Sequence, residues 1–189
     1  FKNEEAETWL KTSIKIINKE LEEQVLPDGG HFERSIMYHC IFFEDLLDII
    51  NISKSYRDQF KNNYLDYWSS KASKMQRFLE GLIHPDRQIP FFNDSSFGIC
   101  AMPEQLFKYA SRLGLKEIKN NVTPKNKKYI KSFLETGYVR VQDRSITALL
   151  DIGKIGPDYL TGHAHADTLS FELSVKKKTF YCKWRYINL

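Results

Sequence analysis

Long apolar runs are missing from this sequence. None of its stretches approaches the roughly 20 residues that a membrane-spanning helix needs, so it contains no transmembrane segment. Cysteine is scarce. Cys40, Cys100 and Cys182 are odd in number and widely spaced, which excludes a disulfide framework or a zinc cluster built from cysteines alone. Strong charge of one sign is absent too, the formal net charge being +4. The basic runs Lys125-Asn126-Lys127-Lys128 and Lys176-Lys177-Lys178 are short and come with no nucleic-acid recognition motif, so they read as solvated loops and no nucleic-acid partner is expected. There is no internal repeat, no initiating methionine before Phe1 and no signal peptide, and the sequence reads as a piece of something longer.

What is present suits a folded protein. Hydrophobic residues make up 42% and aromatics 14%, enough for a core. Trp9, Leu10, Ile14, Ile17, Leu21 and Val25 recur at helical spacing from Glu4 to about Val25, where Leu26-Pro27-Asp28-Gly29-Gly30 makes a turn. A second helix is expected from about Glu33 to Ile50, apolar nearly all round and therefore buried. A third opens at Ser53 or Ser55 and runs to Leu82, before His84-Pro85-Asp86. The aromatic loop from Gln88 to Met102 should pack down rather than dangle, and Pro103 to Leu113 reads as a short helix stopped by Gly114. Lys116 to Lys131 is a polar connector. Beyond it the period changes to two, giving strands at Tyr138–Gln142, Ile146–Ile152, Thr168–Val175 and from Thr179 onward. Helices first and an antiparallel sheet second make an α+β, two-domain chain.

Two constellations can carry chemistry. In the first, the turn at Asp28-Gly29-Gly30 delivers His31 and Glu33 to a helix start that carries Tyr38. A free tyrosine titrates near ~10, so it acts as a base only where a cation or hydrogen-bond network stabilises the phenolate. Arg34, His31 and His39 are the nearby candidates for that help; the competing reading is a capped helix with a buried tyrosine. In the second, Gly162-His163-Ala164-His165-Ala166-Asp167 places two imidazoles and a carboxylate between a Gly/Pro loop and a strand. Such alternation can hold a divalent metal, or turn one imidazole to substrate and the other to a metal or a supporting carboxylate. A metallo-β-lactamase-type hydrolase needs a further histidine where Thr168 stands, and the helical first half does not suit that fold.

Three stretches, Leu26–Ile50, Ile89–Ile99 and Leu149–Ser174, together resemble the heparinase II/III-like polysaccharide lyases, in the right order over most of the chain. The resemblance implies a partial (α/α) toroid over residues 1–124 and an incomplete antiparallel β-sandwich over 125–189, with the site in the cleft between them. It implies β-elimination on a uronic-acid-containing acidic polysaccharide in the bacterial cell envelope or periplasm, with no cofactor required for the chemistry. Tyr38 matches the family's acid (and, for some stereochemistries, base), and His163 matches the histidine opposite it. His165 matches a position that holds a structural zinc in some members; His31, Glu33, Asn93 and Asp94 are expected to line the substrate cleft.

The resemblance fails at both ends. The family's carboxylate-neutralising asparagine belongs to a helix upstream of Phe1. After Phe180 the family continues with text resembling IVNGGISTYE, whereas Tyr181-Cys182-Lys183-Trp184-Arg185-Tyr186-Ile187-Asn188-Leu189 is what one inserted base makes of a permitted coding of it, so residues 181–189 read as a frameshift. The expected function is a lyase in truncated, impaired form. The alternatives are an inactive remnant that at most binds acidic glycan and, more distantly, a metal-dependent hydrolase.

Overall fold

The computed structural model describes residues 3–116, 128–157, 159, 162 and 165–180. The expected ending at 181–189 and His163 lie outside the described residues. Helix α1 (Glu4–Gln24) starts where the Asn3 side chain accepts the Ala6 N–H at 2.9 Å, and Glu4, Glu5 and Glu7 in its first turn complement the helix dipole. Helix α2 (Ile36–Ser55) is the buried one, with Cys40, Phe43, Leu46, Leu47 and Ile50 at 1% exposure or less.

Helix α2 starts later than its sequence pattern suggests. Arg34 adopts a left-handed backbone (φ 60°), which ends the preceding turn, and Ser35 makes no capping bond with its own side chain. The cap comes from elsewhere. Ser95 Oγ accepts the N–H groups of Ile36 and Met37 at 3.0 and 3.2 Å. A distant loop therefore satisfies donors that would otherwise be orphaned at a buried helix start. At its other end α2 runs on to Ser55, and a single 3-10 turn (Arg57–Gln59) intervenes, so helix α3 begins only at Asn62 and ends at Leu82. Helix α4 (Pro103–Arg112) has proline at its first position and the Gln105 side chain accepting the Met102 N–H at 2.9 Å.

Five strands follow: β1 (Tyr129–Phe133), β2 (Tyr138–Asp143), β3 (Ile146–Asp151), β4 (Phe171–Val175) and β5 (Lys178–Phe180). They form one antiparallel meander in chain order, with pairs such as Phe133 to Tyr138 and Tyr138 to Asp151 setting the register. Strand β1 occupies the end of what the sequence presents as a polar connector, because Tyr-Ile-Lys-Ser-Phe gives too short an alternation to stand out. The α+β reading holds.

The sheet is sided in an unexpected sense. Tyr138, Arg140, Thr147, Leu149, Asp151, Glu172 and Ser174 face the helices and are buried. Ile130, Ile146, Phe171 and Phe180 face away and are 45–70% exposed. The apolar positions of the β4 alternation thus point away from the helical half. Its polar positions are the ones enclosed, and hydrogen bonds are what they make there. His84, just beyond α3, meets Ser174 Oγ and Glu172 Oε2 at 2.7 Å each. Arg140 donates to the Ile83 carbonyl at 2.8 Å, and Asp28 accepts the N–H and hydroxyl of Thr136 at 2.8 and 2.9 Å. Phe78 on α3 meets Phe133 of β1 edge-on at 4.9 Å, joining sheet and helices into one core with Trp68, Phe43 and Tyr138.

Two outcomes follow from this packing. An apolar sheet face open to water is a docking or aggregation surface. The 189-residue polypeptide should self-associate and bind a hydrophobic dye, and Phe171→Lys with Ile130→Lys should reduce both; a monomeric, dye-silent wild type in light scattering would contradict this. The second concerns His39. It is wholly buried with Nε2 at 3.2 Å from the Met75 carbonyl, and burial pushes its pKa down from 6.5 to about 3. The unfolded chain takes up a proton below pH 6.5 that the folded chain refuses until near pH 3, so this histidine costs stability as pH falls through that window. The slope is at most about 1.4 kcal/mol per pH unit. In urea titrations wild type should lose ground to His39→Gln as pH drops from 7 towards 4, and parallel pH profiles would sink the idea.

Candidate active site

The site is built on the turn before α2. Leu26 N–H reaches the Gly30 carbonyl at 2.9 Å and Gly29 N–H the Leu26 carbonyl at 2.8 Å, closing a loop with Asp28 at its tip. Gly29 has φ 93°, and a Cβ there would sit 2.4 Å from the Lys74 carbonyl oxygen; at Gly30 it would sit 2.2 Å from Thr136 Cγ2. Only glycine lets this turn wedge between α3 and the β1–β2 hairpin. Asp28 then takes the N–H groups of Glu135 and Thr136, at 3.1 and 2.8 Å, so the motif fastens the helical half to the sheet.

Arg34 makes the same crossing. Its guanidinium donates to the carbonyls of Lys154 at 2.6 Å and Glu135 at 3.3 Å. Its own carbonyl accepts the Asn93 side-chain amide at 2.9 Å and the Tyr138 hydroxyl. Arg34 is thus committed to the sheet. His39 is a neutral core residue, and His31 is 5% exposed, with Nε2 at 3.1 Å from Gln24 Oε1 and its ring against Phe32 and Phe42. These contacts place Arg34, His39 and His31 to brace the turn and the core.

Tyr38 lies in the first turn of α2, half-buried, with Asp94 and Glu33 as its electrostatic neighbours. Withdrawal from water, the negative charges of Asp94 and Glu33, and a hydrogen bond to Asp94 all push its pKa above 10.0. Tyr38 is therefore held as a neutral phenol. That state can give a proton but cannot take one.

Asn93 and Asp94 join the two halves of the site. Asn93 is buried in a left-handed backbone conformation (φ 57°). Its N–H donates to Asp167 Oδ2 at 2.5 Å, its Oδ1 accepts the His165 N–H at 3.3 Å, and its Nδ2 donates to Arg34 O. The next residue, Asp94, bonds Tyr38. One dipeptide thus holds the histidine loop on one side and the helix-borne tyrosine on the other. Asn93 is buried with its amide engaged in this joint, while Glu33 and Asp94 are partly exposed.

His165 is exposed, and among the described residues no group of three His, Cys, Asp or Glu side chains gathers to hold a metal. No helix among the described residues is long and apolar enough to cross a membrane.

Sequence reasoning missed Asp167 as the carboxylate that seats Asn93, and it read His84 only as part of a helix end. The available signal lay in Phe171-Glu172-Leu173-Ser174-Val175. A glutamate alternating with apolar residues in a strand marks an enclosed polar face as easily as a solvated one.

Residues 1–114 match the family Heparinase II/III N-terminus, and residues 125–182 match Heparinase II/III-like, C-terminal. A heparin-sulfate lyase of Bacteroides stercoris is 29% identical over 196 residues, covering 94% of this chain and 27% of the relative. The chain also superposes on a crystal structure of heparinase III with a TM-score of 0.73 at 19% identity, covering 94% of this chain and 31% of that one. Against a heparan sulfate lyase, HepC, of Pedobacter heparinus the TM-score is 0.66 at 20% identity, covering 94% and 29%. These two likenesses concern the fold. The chain spans about 30% of the length of the proteins it matches. With the N-terminal match alone taking in more than half of the sequence, this chain belongs to the heparinase II/III family.

Proposed function

We propose that these residues form part of the active site of a polysaccharide lyase that cleaves an acidic, uronic-acid-containing glycan by β-elimination. A glycosaminoglycan is the substrate class that the heparin-sulfate lyase relatives suggest. The helices correspond in this reading to part of an (α/α) toroid, the sheet to one layer of a β-sandwich, and the proposed setting is the bacterial cell envelope.

The reaction has three requirements. The substrate carboxylate must be neutralised, so that the neighbouring C5 proton becomes acidic. A base must remove that proton, and an acid must protonate the glycosidic oxygen that leaves C4. The electron pair of the C5–H bond becomes the C4–C5 double bond as the C4–O bond breaks.

The observation that carries the proposal is the placement of Tyr38 beside Asp94, whose neighbour Asn93 bonds Asp167 and His165 of the sheet half. Its phenol is kept protonated by burial, Asp94 and Glu33, at the joint between helices and sheet. That suits the acid role. His163 is proposed as the group facing it from the histidine loop, Glu33 as a substrate contact at the rim and Asp94 as the group that accepts the Tyr38 hydrogen bond and orients the phenol. His31 and Asn93 serve through the turn and the joint they hold.

With this segment carried in a lyase of full family length, incubation with heparan-type glycan should raise the ultraviolet absorbance of an unsaturated uronate. Hydrolysis would give no such band. Tyr38→Phe should lower kcat by at least 100-fold with little change in KM, within the usual range for loss of an acid catalyst; retained turnover would refute the role. Asp94→Asn removes a charge that raises the Tyr38 pKa, so the alkaline limb of the rate profile should move to lower pH. An unmoved limb would show that Asp94 does not control the tyrosine. Glycan binding by the 189-residue chain without any product would favour an inactive remnant.

A further inference from the structure

Helix α3 carries a polar stripe that the lyase chemistry does not use. Asp66, Ser69, Ser73, Gln76 and Arg77 recur at three- and four-residue spacing, which sets them on one face of the helix. With Lys54 at the end of α2 and the segment from Leu113 to Lys116 at the end of α4, they line a cavity of about 310 Å3. Clefts that hold small ligands run from roughly 300 to 1,000 Å3, so this one is large enough to be occupied. None of its lining residues belongs to the Tyr38 site.

Gln76 is 3% exposed, yet among the described residues nothing hydrogen-bonds to its side-chain amide. Buried amides in folded proteins are nearly always paired, so one that opens on a cavity points to a ligand. Charge says which kind. The lining carries Lys54, Arg77 and Lys116 against one carboxylate, Asp66, and among the described residues none of the four is ion-paired. Asp66 and Arg77 are eleven residues apart, about 16 Å along the helix, so the carboxylate lies at the far end of the stripe from Gln76. The end of α4 also opens here and disfavours anions, but Lys54 answers it by donating to the Leu113 carbonyl. Burial and then the charges of Arg140 and Arg77 push the pKa of Lys131 down, so the Arg77 end of the stripe stands in a positive field. Glu80, the carboxylate that acts against it, is taken by Arg87 through two bonds of 3.0 Å.

We propose that this cavity is a binding site for a tetrahedral oxyanion, a sulfate or phosphate group, held by Gln76 and Arg77 with Lys116 beside them. The guanidinium fork and the amide donate N–H groups to its oxygens, and Lys116 adds a second positive charge. Ser73 has spent its hydroxyl proton on the Ser69 carbonyl at 2.8 Å, which leaves the Ser69 hydroxyl as a further donor. No aromatic ring lines the cavity, so recognition rests on charge and hydrogen bonds rather than on stacking. A sulfated glycan and free phosphate share this chemistry. Either is held apart from the Tyr38 site, so the oxyanion site stands whether or not Tyr38 is the acid of a lyase.

The test titrates the 189-residue chain by calorimetry at low salt. The probes are inorganic phosphate, inorganic sulfate, a heparan-type oligosaccharide and the same oligosaccharide stripped of its sulfates. Phosphate and sulfate should compete for one site, and phosphate should displace the sulfated oligosaccharide, which should bind more tightly than its stripped form. Arg77→Gln, at an exposed position, should weaken phosphate binding about 10- to 100-fold, as loss of a hydrogen bond to a charged group does. Gln76→Met, which keeps the volume and removes the amide, should weaken it as well. Should that buried variant fail to fold, Arg77→Gln and the exposed Lys116→Ala carry the test. Lys11→Ala, on the surface of α1, should leave the affinity unchanged. Phosphate bound through Arg77 with no preference for the sulfated oligosaccharide would support the site and make the free ion its ligand. Absence of binding by every anion would overturn the proposal. So would an affinity untouched by Arg77→Gln, or lowered equally by Lys11→Ala, which would mean diffuse surface charge.

Discussion

Asn93 sits where three pieces of chain meet, and its amide serves all of them. Its N–H goes to Asp167, its Oδ1 takes the His165 N–H, and its Nδ2 reaches Arg34. Each partner is a buried polar group or a backbone atom that would otherwise need water. Leaving such a group unpaired costs about 1–3 kcal/mol, so the cluster is set as a unit rather than bond by bond. The left-handed backbone at Asn93 belongs to the same arrangement, because asparagine tolerates that conformation better than most residues. The next residue, Asp94, meets Tyr38.

The same preference for directional contacts runs along the whole boundary between helices and sheet. His84 bonds Glu172 and Ser174, and the other Glu172 oxygen takes the Phe91 N–H at 2.7 Å. Ser174 continues to Thr179 and Thr179 to Asp86. A buried hydrogen bond of this kind adds only about 0.5–1.5 kcal/mol net, because folding trades it against bonds to water. What hydrogen bonds of this kind supply is position. Apolar faces can slide by an ångström with little change in energy, whereas bonds to His84 or Asp28 are lost over the same distance. For a cleft whose chemistry is divided between two halves, alignment is the quantity that matters.

Tyr38 shows how the surroundings select among the chemical roles of one residue. Two carboxylates beside a half-withdrawn phenol keep its proton on. A nearby cation would have done the reverse, and the sequence offered Arg34 as one. The fold sends that guanidinium instead to the Lys154 and Glu135 carbonyls across the boundary.

By itself the sequence determined the helices and every strand but β1 among the described residues, since period and punctuation are local: Pro103 opens α4, Gly114 closes it, and the Asp28-Gly29-Gly30 turn is where it was read. It also pointed to Tyr38, Asp94 and the histidine loop as parts of one site. Only the tertiary structure decided the start of α2, because its cap is Ser95 from another loop. It alone decided which face of the sheet is enclosed, because alternation is the same whichever side is covered. The work of Asp167 and His84 came from the fold as well. Those contacts join residues tens of positions apart, and a pattern read along the chain holds no information about what lies across from it.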